Sequence, residues 1–577
     1  MVAASVALAG GASAAPVVPS TGQALSREQV NPAQQIPQPR RRTPDVLLAP
    51  VKEACELSNG PAVAFDFKQA VVADDARVLP DREKQAAWSD LVGKRITPSQ
   101  ICDIRDRLAD RIFRNGVLAW VVIPPQTIRD GTVRLQIIAA KIVAVRFDGD
   151  DIGPTQGLAE AYLDHLRHQN TFDLATAQKW LLLVNDMPGI LAVARLVHST
   201  APGAPVGGLD LVVTLRRLAM DESVLVANTN AQTLGPWTGL ARVDFNSFTP
   251  LGERTSLIAY STLGNFRQDV AQVQESVRLG DSGLFGLASF AYGHSRPGNV
   301  LEPLDLTGDS FTGSFEVDYP VMRLQERSLF LASGMDFVNQ RTALPTGQAV
   351  SDDALRVAWI RADGALAASD RPWGAELVST AADLSLQLRK GLDVLGASVE
   401  GAPDLSRVGG QADALVLRGE GHVSWRVAPM DAKWPPVTVT VHYLGQWADR
   451  ALLAYEQQAI GNLTIGRGYD PSAAAGDDVV AGEVKVELGP FGAGRGGKIR
   501  LSPYVFDDTA YVAYIGPGSP AVTLRSLGGG FEVRLPYDSR GNLVRLDIGY
   551  AQPLDRPTPG IGKKPPGRLL VELIVNH

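Results

Sequence analysis

The chain has 577 residues and a net charge of −7, so it carries no basic footprint for nucleic acid. Mean hydropathy is near zero, and no apolar run reaches the roughly 18 residues that a membrane helix needs. The 57 glycines beside 12 tyrosines and 9 tryptophans fit many short strands and turns, and a membrane barrel hides its apolar content by alternation.

The N-terminus, "MVAASVALAGGASAAPVV", reads as the end of a secretory signal. A short apolar stretch precedes Ala12-Ser13-Ala14, an A-x-A cleavage pattern that assigns residues 1–14 to the signal. The basic n-region is missing, so the true start is expected upstream. Residues 15–50 are rich in Pro, Gln and Ala, a linker composition. Arg40-Arg41-Arg42 within them reads as a solvated charge run. A short helix can be drawn around Ala24 to Gln35, with little periodicity behind it. The two cysteines, Cys55 and Cys102, fit either a disulfide formed after export or two unpaired buried thiols.

Residues 51–140 read as one small α+β unit. "VAFDF" at 63–67 is a strand candidate. In "TPSQICDIRDRLADRIFRNG", Thr97 is the predicted N-cap, Pro98 takes the first helical position and Gln100 completes a capping box. Ile101, Ile104, Leu108 and Ile112 form one apolar stripe, and Asn115-Gly116 ends the helix. "VLAWVVIP" and "TVRLQII" follow as strands, joined through a turn at Asp130-Gly131. Residues 141–217 repeat the grammar in the order β-α-α-β-β. Asp173 is the expected cap of the second helix, and Pro188-Gly189 its stop. That order resembles a polypeptide-transport-associated (POTRA) module.

After Arg217 the helical period stops, and residues 218–577 yield sixteen strand candidates, from 222–232 to 567–577. In "PVTVTVHYLG", Val437, Val439, Val441 and Tyr443 share one face, opposite Thr438, Thr440 and His442. In "GEVKVEL", Glu483, Lys485 and Glu487 oppose Val484, Val486 and Leu488. A soluble sandwich also alternates. An even strand count, charges on the polar face and an export signal favour a transmembrane β-barrel of about 16 antiparallel strands preceded by two small α+β modules.

With the modules in the periplasm, the first barrel strand runs outward, and loops after odd-numbered strands lie on the outer side. "TIGRGYDPSAAAGDD", Thr464 to Asp478, lies between the eleventh and twelfth strands, in a loop of about 30 residues, long for a mere connection. Gly466 and Gly468 permit tight backbone around Arg467, followed by Tyr469. On strand thirteen, Arg500 faces the lumen with Lys498. Counting by twos places Ser502, Tyr504, Phe506 and Asp508 on the same face, and Leu501 and Val505 toward lipid. The lumen wall is assigned Glu483, Lys485, Glu487 and Arg500. If the loop folds inward, Arg467 is expected to meet Asp508 as a bidentate pair.

These residues carry a family resemblance. "IGRGYD" resembles the V/I-R-G-Y loop signature of the outer-membrane assembly and translocation superfamily, and Phe506-Asp507-Asp508-Thr509-Ala510 resembles its F-x-D-x-G strand motif. "FRNGVLAWVVIPPQTIRDG" and "LLLVNDMPGI" resemble the first and second modules of the two-partner-secretion transporter (TpsB-type) family, exporters of haemagglutinins and haemolysins. The cysteine pair resembles one found in the first module of many members. Ala510 in place of the motif glycine, Val117 in place of an aromatic, and an ending in "LIVNH" rather than phenylalanine depart from the pattern.

The resemblance implies an outer-membrane pore, with its POTRA modules in the periplasm. It captures an unfolded partner exoprotein and exports it through the barrel, and the inward loop pins or gates the lumen. Implied partners are a large secreted exoprotein with an N-terminal secretion domain encoded nearby, outer-membrane lipid, and the barrel-assembly machinery during biogenesis. No cofactor, metal, nucleic acid or catalysis is expected. Alternatives are a barrel-assembly factor, which usually carries more modules, and a passive solute channel. Gly492-Ala493-Gly494-Arg495-Gly496-Gly497 fits a nucleotide fingerprint, but a strand follows where a helix is needed. Gly280-Asp281-Ser282-Gly283 reads as a turn, His165 and His168 as a solvated helix face, and Glu483 with Glu487 as lumen wall rather than paired acids.

Overall fold

The computed structural model describes residues 25–35, 55, 57, 63–169, 171–370, 376–429, 434–493, 498–516, 521–536, 543–557 and 564–577. The signal (1–14), most of the linker, Arg40-Arg41-Arg42 and Gly494 to Gly497 lie outside them. The expected N-terminal helix is one turn, α1 (Arg27–Val30), followed by a 3-10 turn at Pro32–Gln34. Asn31 and Pro32 break its period.

The first module contains β1 (Phe65–Asp66), β2 (Gln69–Ala73), α2 (Asp81–Gln85), β3 (Arg95–Ile96), α3 (Pro98–Arg114), β4 (Ala119–Val122) and β5 (Thr132–Ala139). β2, β5 and β4 form one sheet, with β2 parallel to β5 and β4 antiparallel to it. α3 starts at its predicted cap, where the Thr97 N–H donates to Gln100 Oε1 at 2.9 Å. Ile101, Ile104, Leu108 and Ile112 are buried against Val133, Leu135 and Ile137 of the sheet. The strand drawn at 63–67 shrinks to the two residues of β1, because Phe67 leaves the ladder for the core, fully buried, and pairing resumes in β2. Cys55 is disulfide-bonded to Cys102 on α3, with the Cα atoms 6.0 Å apart. Asp130 and Gly131 both take positive φ, 59° and 72°, at the turn into β5.

The second module is β6 (Lys141–Gly149), α4 (Gln156–Asp164), α5 (Leu174–Asn185), β7 (Ile190–His198) and β8 (Gly208–Arg217), with β8 between a parallel β6 and an antiparallel β7. Asp173 caps α5, its carboxylate accepting the Thr176 N–H at 2.7 Å. Both helices bury one face on the sheet, and Leu118 of the first module joins that core.

The barrel strands are β9 (Met220–Ala227), β10 (Thr238–Asn246), β11 (Arg254–Thr262), β12 (Gln268–Arg278), β13 (Phe285–Ser295), β14 (Thr307–Arg323), β15 (Arg327–Ala343), β16 (Ala349–Asp370), β17 (Glu376–Gly391), β18 (Leu415–Pro429) and β19 (Val437–Ala448). A long loop holds a short hairpin, β20 (Gln458–Ile460) with β21 (Ala474–Gly476). Then come β22 (Asp478–Leu488), its continuation β23 (Phe491–Ala493), β24 (Ile499–Ala513), β25 (Val522–Pro536), β26 (Leu543–Pro553) and β27 (Arg568–Asn576). With β23 counted as part of β22, sixteen antiparallel strands close into a barrel, β27 pairing with β9 from Glu572↔Ala227 to Asn576↔Ser223.

Burial in the barrel is inverted relative to a soluble domain. Leu257, Phe315, Ile360, Leu386, Val484 and Val505 are exposed on the outer face. Arg242, Asp244, Gln272, Arg389, Arg418 and Asp508 are buried inside. Such an outer surface requires lipid, and the strands span a membrane.

The second module is clamped to the turns at one end. Arg323, at the end of β14, makes two hydrogen bonds to the Asp186 carboxylate after α5, at 2.8 and 2.9 Å, and both side chains are nearly buried. Arg278 donates to the Asp186 carbonyl. In the β10–β11 turn, Ser247 Oγ donates to the Pro188 carbonyl at 2.7 Å, and Thr155 Oγ1 donates to the Thr249 carbonyl at 2.9 Å. All three clamped turns follow even-numbered barrel strands, so loops after odd-numbered strands open at the opposite end. His165 is not merely a solvated face: its ring stacks on Trp180 at 3.9 Å and its Nδ1 lies 3.0 Å from the Ala161 carbonyl.

Candidate functional site

The loop between β19 and β22 folds back into the lumen. Its apolar residues drive that choice: Ile460, Ile465 and Tyr469 are buried against Leu444, Val479, Ala510, Val512 and Leu524 of the wall. Gly466 takes φ +120°, a backbone that side-chain-bearing residues rarely adopt. At Gly468 a Cβ would lie 2.8 Å from the Pro553 nitrogen and 2.9 Å from Ser526 Cβ. The two glycines therefore supply a sharp bend and a close approach to the wall. Arg467 is aimed by both.

The guanidinium of Arg467 pairs with Glu483 of β22 and lies over the Phe506 ring at 4.1 Å. The expected Arg467–Asp508 fork is thus corrected. Asp508 instead accepts the backbone N–H of Arg467 at 2.8 Å and the Ser526 hydroxyl at 3.0 Å. Parity along the strand identified the lumen face but could not choose between two acids at one depth. Glu483 and Asp508 are direct cross-strand partners. Two adjacent carboxylates repel, so the loop cation sits where the wall most needs positive charge. Tyr469 fixes the far side of the bend, its hydroxyl donating to the Arg525 carbonyl at 2.9 Å and accepting the Asp555 N–H at 3.0 Å.

The remaining wall residues lie below this pocket. Lys485 pairs with Glu487 at 3.3 Å and covers the Tyr504 ring at 4.3 Å. Arg500 is exposed, opposite Arg534 on β25, and outside the loop's reach.

Two further anchors were not singled out in the sequence. Glu456 in the loop is nearly buried between Arg389 of β17, at 2.8 Å, and Arg418 of β18, at 2.9 Å. Asp477, fully buried, accepts from Arg407 at 2.6 Å and from the N–H groups of Leu452 and Ile515. The signal was present, since Arg389 and Arg418 sit at lumen-facing parity; what was missing was the partner, a loop acid without a motif.

A second segment enters the lumen from the N-terminus. Leu25, Val30 and Ala33 are buried with barrel residues. Their backbone is held by barrel glutamines: Gln340 donates to the Leu25 carbonyl at 2.7 Å, Gln268 to the Gln29 carbonyl at 3.3 Å, and Gln272 Oε1 accepts the Ala33 N–H at 3.2 Å. Arg27 reaches the loop itself, donating to Gln458 Oε1 at 2.9 Å. Two segments that share contacts therefore occupy one lumen.

Ionisable wall residues continue the row beyond the arginine pocket. Asp383, His422, His442, Glu483 and Asp508 are successive cross-strand partners from β17 to β24.

Residues 67–140 match the family description "POTRA domain, ShlB-type". The heme/hemopexin transporter protein HuxB of Haemophilus influenzae (strain 86-028NP) is 24% identical over 244 residues, which are 40% of this chain and 40% of that protein. HuxB of Haemophilus influenzae (strain ATCC 51907 / DSM 11121 / KW20 / Rd) is 23% identical over 222 residues, 34% of this chain and 38% of that protein. The match therefore spans well under two thirds of either relative. Among solved structures, CdiB from Escherichia coli superposes with a TM-score of 0.72 at 13% identity, covering 98% of this chain and 100% of that one. CdiB from Acinetobacter baumannii gives 0.62 at 15% identity, covering 95% of each. Those likenesses show the fold: a sixteen-stranded β-barrel preceded by small α+β modules, the first of which carries the POTRA match. The chain is similar to the two-partner-secretion transporters, as its motifs indicated.

Proposed function

We propose that the protein is an outer-membrane translocation pore. It recognises an unfolded partner exoprotein through its two periplasmic modules, residues 51–140 and 141–217, and passes it through the barrel, residues 218–577. The carrying observation is the doubly filled lumen. A passive channel has no use for an inward loop held by Arg467, Tyr469 and Glu456 and a separate N-terminal segment held by Gln268, Gln272 and Gln340. A transporter that opens only for cargo needs both, because an unobstructed lumen of a sixteen-stranded barrel would leak. Hydrogen bonds from amide side chains to backbone suit a segment that must leave, since water replaces them at little net cost.

In this reading the modules take the cargo in extended form, backbone hydrogen bonds at a strand edge giving affinity with little sequence demand. The loop motif Gly466, Arg467, Gly468 and Tyr469 against Glu483, Phe506 and Asp508 sets the resting state. The cargo is a large exoprotein with its own N-terminal secretion domain.

The test is co-expression with the exoprotein encoded beside this reading frame, measuring its appearance outside the cell. Removing residues 51–217 should abolish secretion while a heat-modifiable barrel still reaches the outer membrane. Undiminished secretion from that deletion would refute the capture role.

A further inference from the structure

The lumen wall holds a second cluster that the loop does not use. Glu420 and His422 on β18 and His442 on β19 bring one carboxylate oxygen and two imidazole nitrogens within 4.8 Å of one another. Among the described residues this is the one group of three or more such side chains placed to share an ion. His422 and His442 are direct cross-strand partners, their rings stacked at 4.1 Å and 13°. His442 Nε2 lies 3.0 Å from Glu420 Oε1. Asp383 of β17, opposite His422, lies 3.0 Å from its Nδ1.

We propose that Glu420, His422 and His442 form a divalent transition-metal site inside the barrel. With Nδ1–H donated to Asp383, the neutral His422 ring presents Nε2 as a free lone pair. A carboxylate behind a histidine is the arrangement that orients metal-binding imidazoles and raises their basicity. Two imidazoles and one carboxylate suit zinc and its neighbours rather than calcium or magnesium. Glu420 is exposed on the lumen wall, which leaves a fourth position open and a route of entry. The ion takes the place of the proton shared between His442 and Glu420. It clips β18 to β19 at the level of the arginine pocket, since His442 is followed in the same row by Glu483.

The experiment uses the full chain purified in detergent without a histidine tag. Zn(II) is titrated in competition with a chromophoric chelator, and Co(II) is added separately to read ligand-field bands. One Zn(II) per chain is expected, with Co(II) bands of tetrahedral intensity. His442→Gln and Glu420→Gln should each weaken Zn(II) binding by tenfold or more, and the double variant His422→Gln/His442→Gln should abolish it and the Co(II) bands. Asp383→Asn keeps all three ligands and should weaken binding by about 10–100-fold. It also covers the case in which the double variant fails to form a barrel. His165→Gln, in the second module, should bind as the parent does. Failure to bind Zn(II) stoichiometrically, or equal affinity in the parent, Asp383→Asn and Glu420→Gln, would overturn the proposal.

Discussion

Arg467→Ala removes a cation from between two acids. In the parent, the Arg467 and Glu483 side chains are 19% and 13% exposed, so the pair is screened far less than a surface ion pair. Breaking a fully buried pair costs about 3–5 kcal/mol and an exposed one about 1 kcal/mol or less, which puts this half-wet pocket near 2 kcal/mol. Loss of the contact over Phe506 adds roughly 1 kcal/mol. The total, about 3 kcal/mol, corresponds to roughly 100-fold in the equilibrium between seated and released loop. The Arg467 N–H bond to Asp508 survives an alanine, and Tyr469 and Glu456 still hold their partners, so the barrel itself should be unchanged. Hydrogen exchange of loop amides in the detergent-solubilised protein reads that equilibrium directly. Glu483→Gln should accelerate exchange comparably, and the double variant should add little to either single change, as expected for one shared interaction. Exchange unaltered in Arg467→Ala, or full additivity with Glu483→Gln, would show that the pair does not seat the loop.

Asp186→Asn strands the Arg323 guanidinium at the joint between second module and barrel; a cost of about 3–5 kcal/mol should appear as lost exchange protection in the turn from Ser247 to Glu253, and an Asp186→Leu/Arg323→Met double variant should recover much of it. Gly293→Leu places a side chain where a Cβ would already stand 2.9 Å from Leu25 and 3.2 Å from Val30, so the N-terminal segment should be evicted and single-channel conductance in planar bilayers should rise. In the first module, burial pushes the Asp74 carboxyl up, but N–H bonds from Val78 and Leu79 and the Lys84 ammonium 3.0 Å away outweigh it and hold the group below the usual carboxylate range. A depressed folded value means stability that is present above about pH 4 and lost as the pH falls through it, so Asp74→Asn should flatten the acid limb of the module's unfolding profile and an unchanged slope would count against it.

Period-two alternation made the barrel legible because each wall strand has only two surroundings, lipid and lumen. Val505 faces out and Asp508 in, as counting by twos predicts. α3 was legible for the opposite reason, a cap, a proline and a stripe agreeing over one helix. β2 was not, since "QAVVA" is short and follows a strand candidate without a turn signal. The choice of Glu483 over Asp508 depends on which way the guanidinium turns at one shared depth, which no periodicity encodes. The Asp186–Arg323 joint depends on one module docking against another body, and both residues look like ordinary surface charges along the chain. The short helix drawn around Ala24 to Gln35 was only weakly legible, because the single turn of α1 owes its order to barrel glutamines 239 or more positions away.

The disulfide has a consequence for the stretch that fills the lumen from the N-terminal side. Cys55 is fastened to α3, and it stands only 20 positions beyond Gln35. Whatever path those positions take, they can span no more than about 70 Å. A stopper that has left its seat is therefore still on a leash, close to the mouth from which it came. Its return is a first-order event, as fast in a sparsely populated membrane as in a crowded one, and refilling the lumen needs no second molecule.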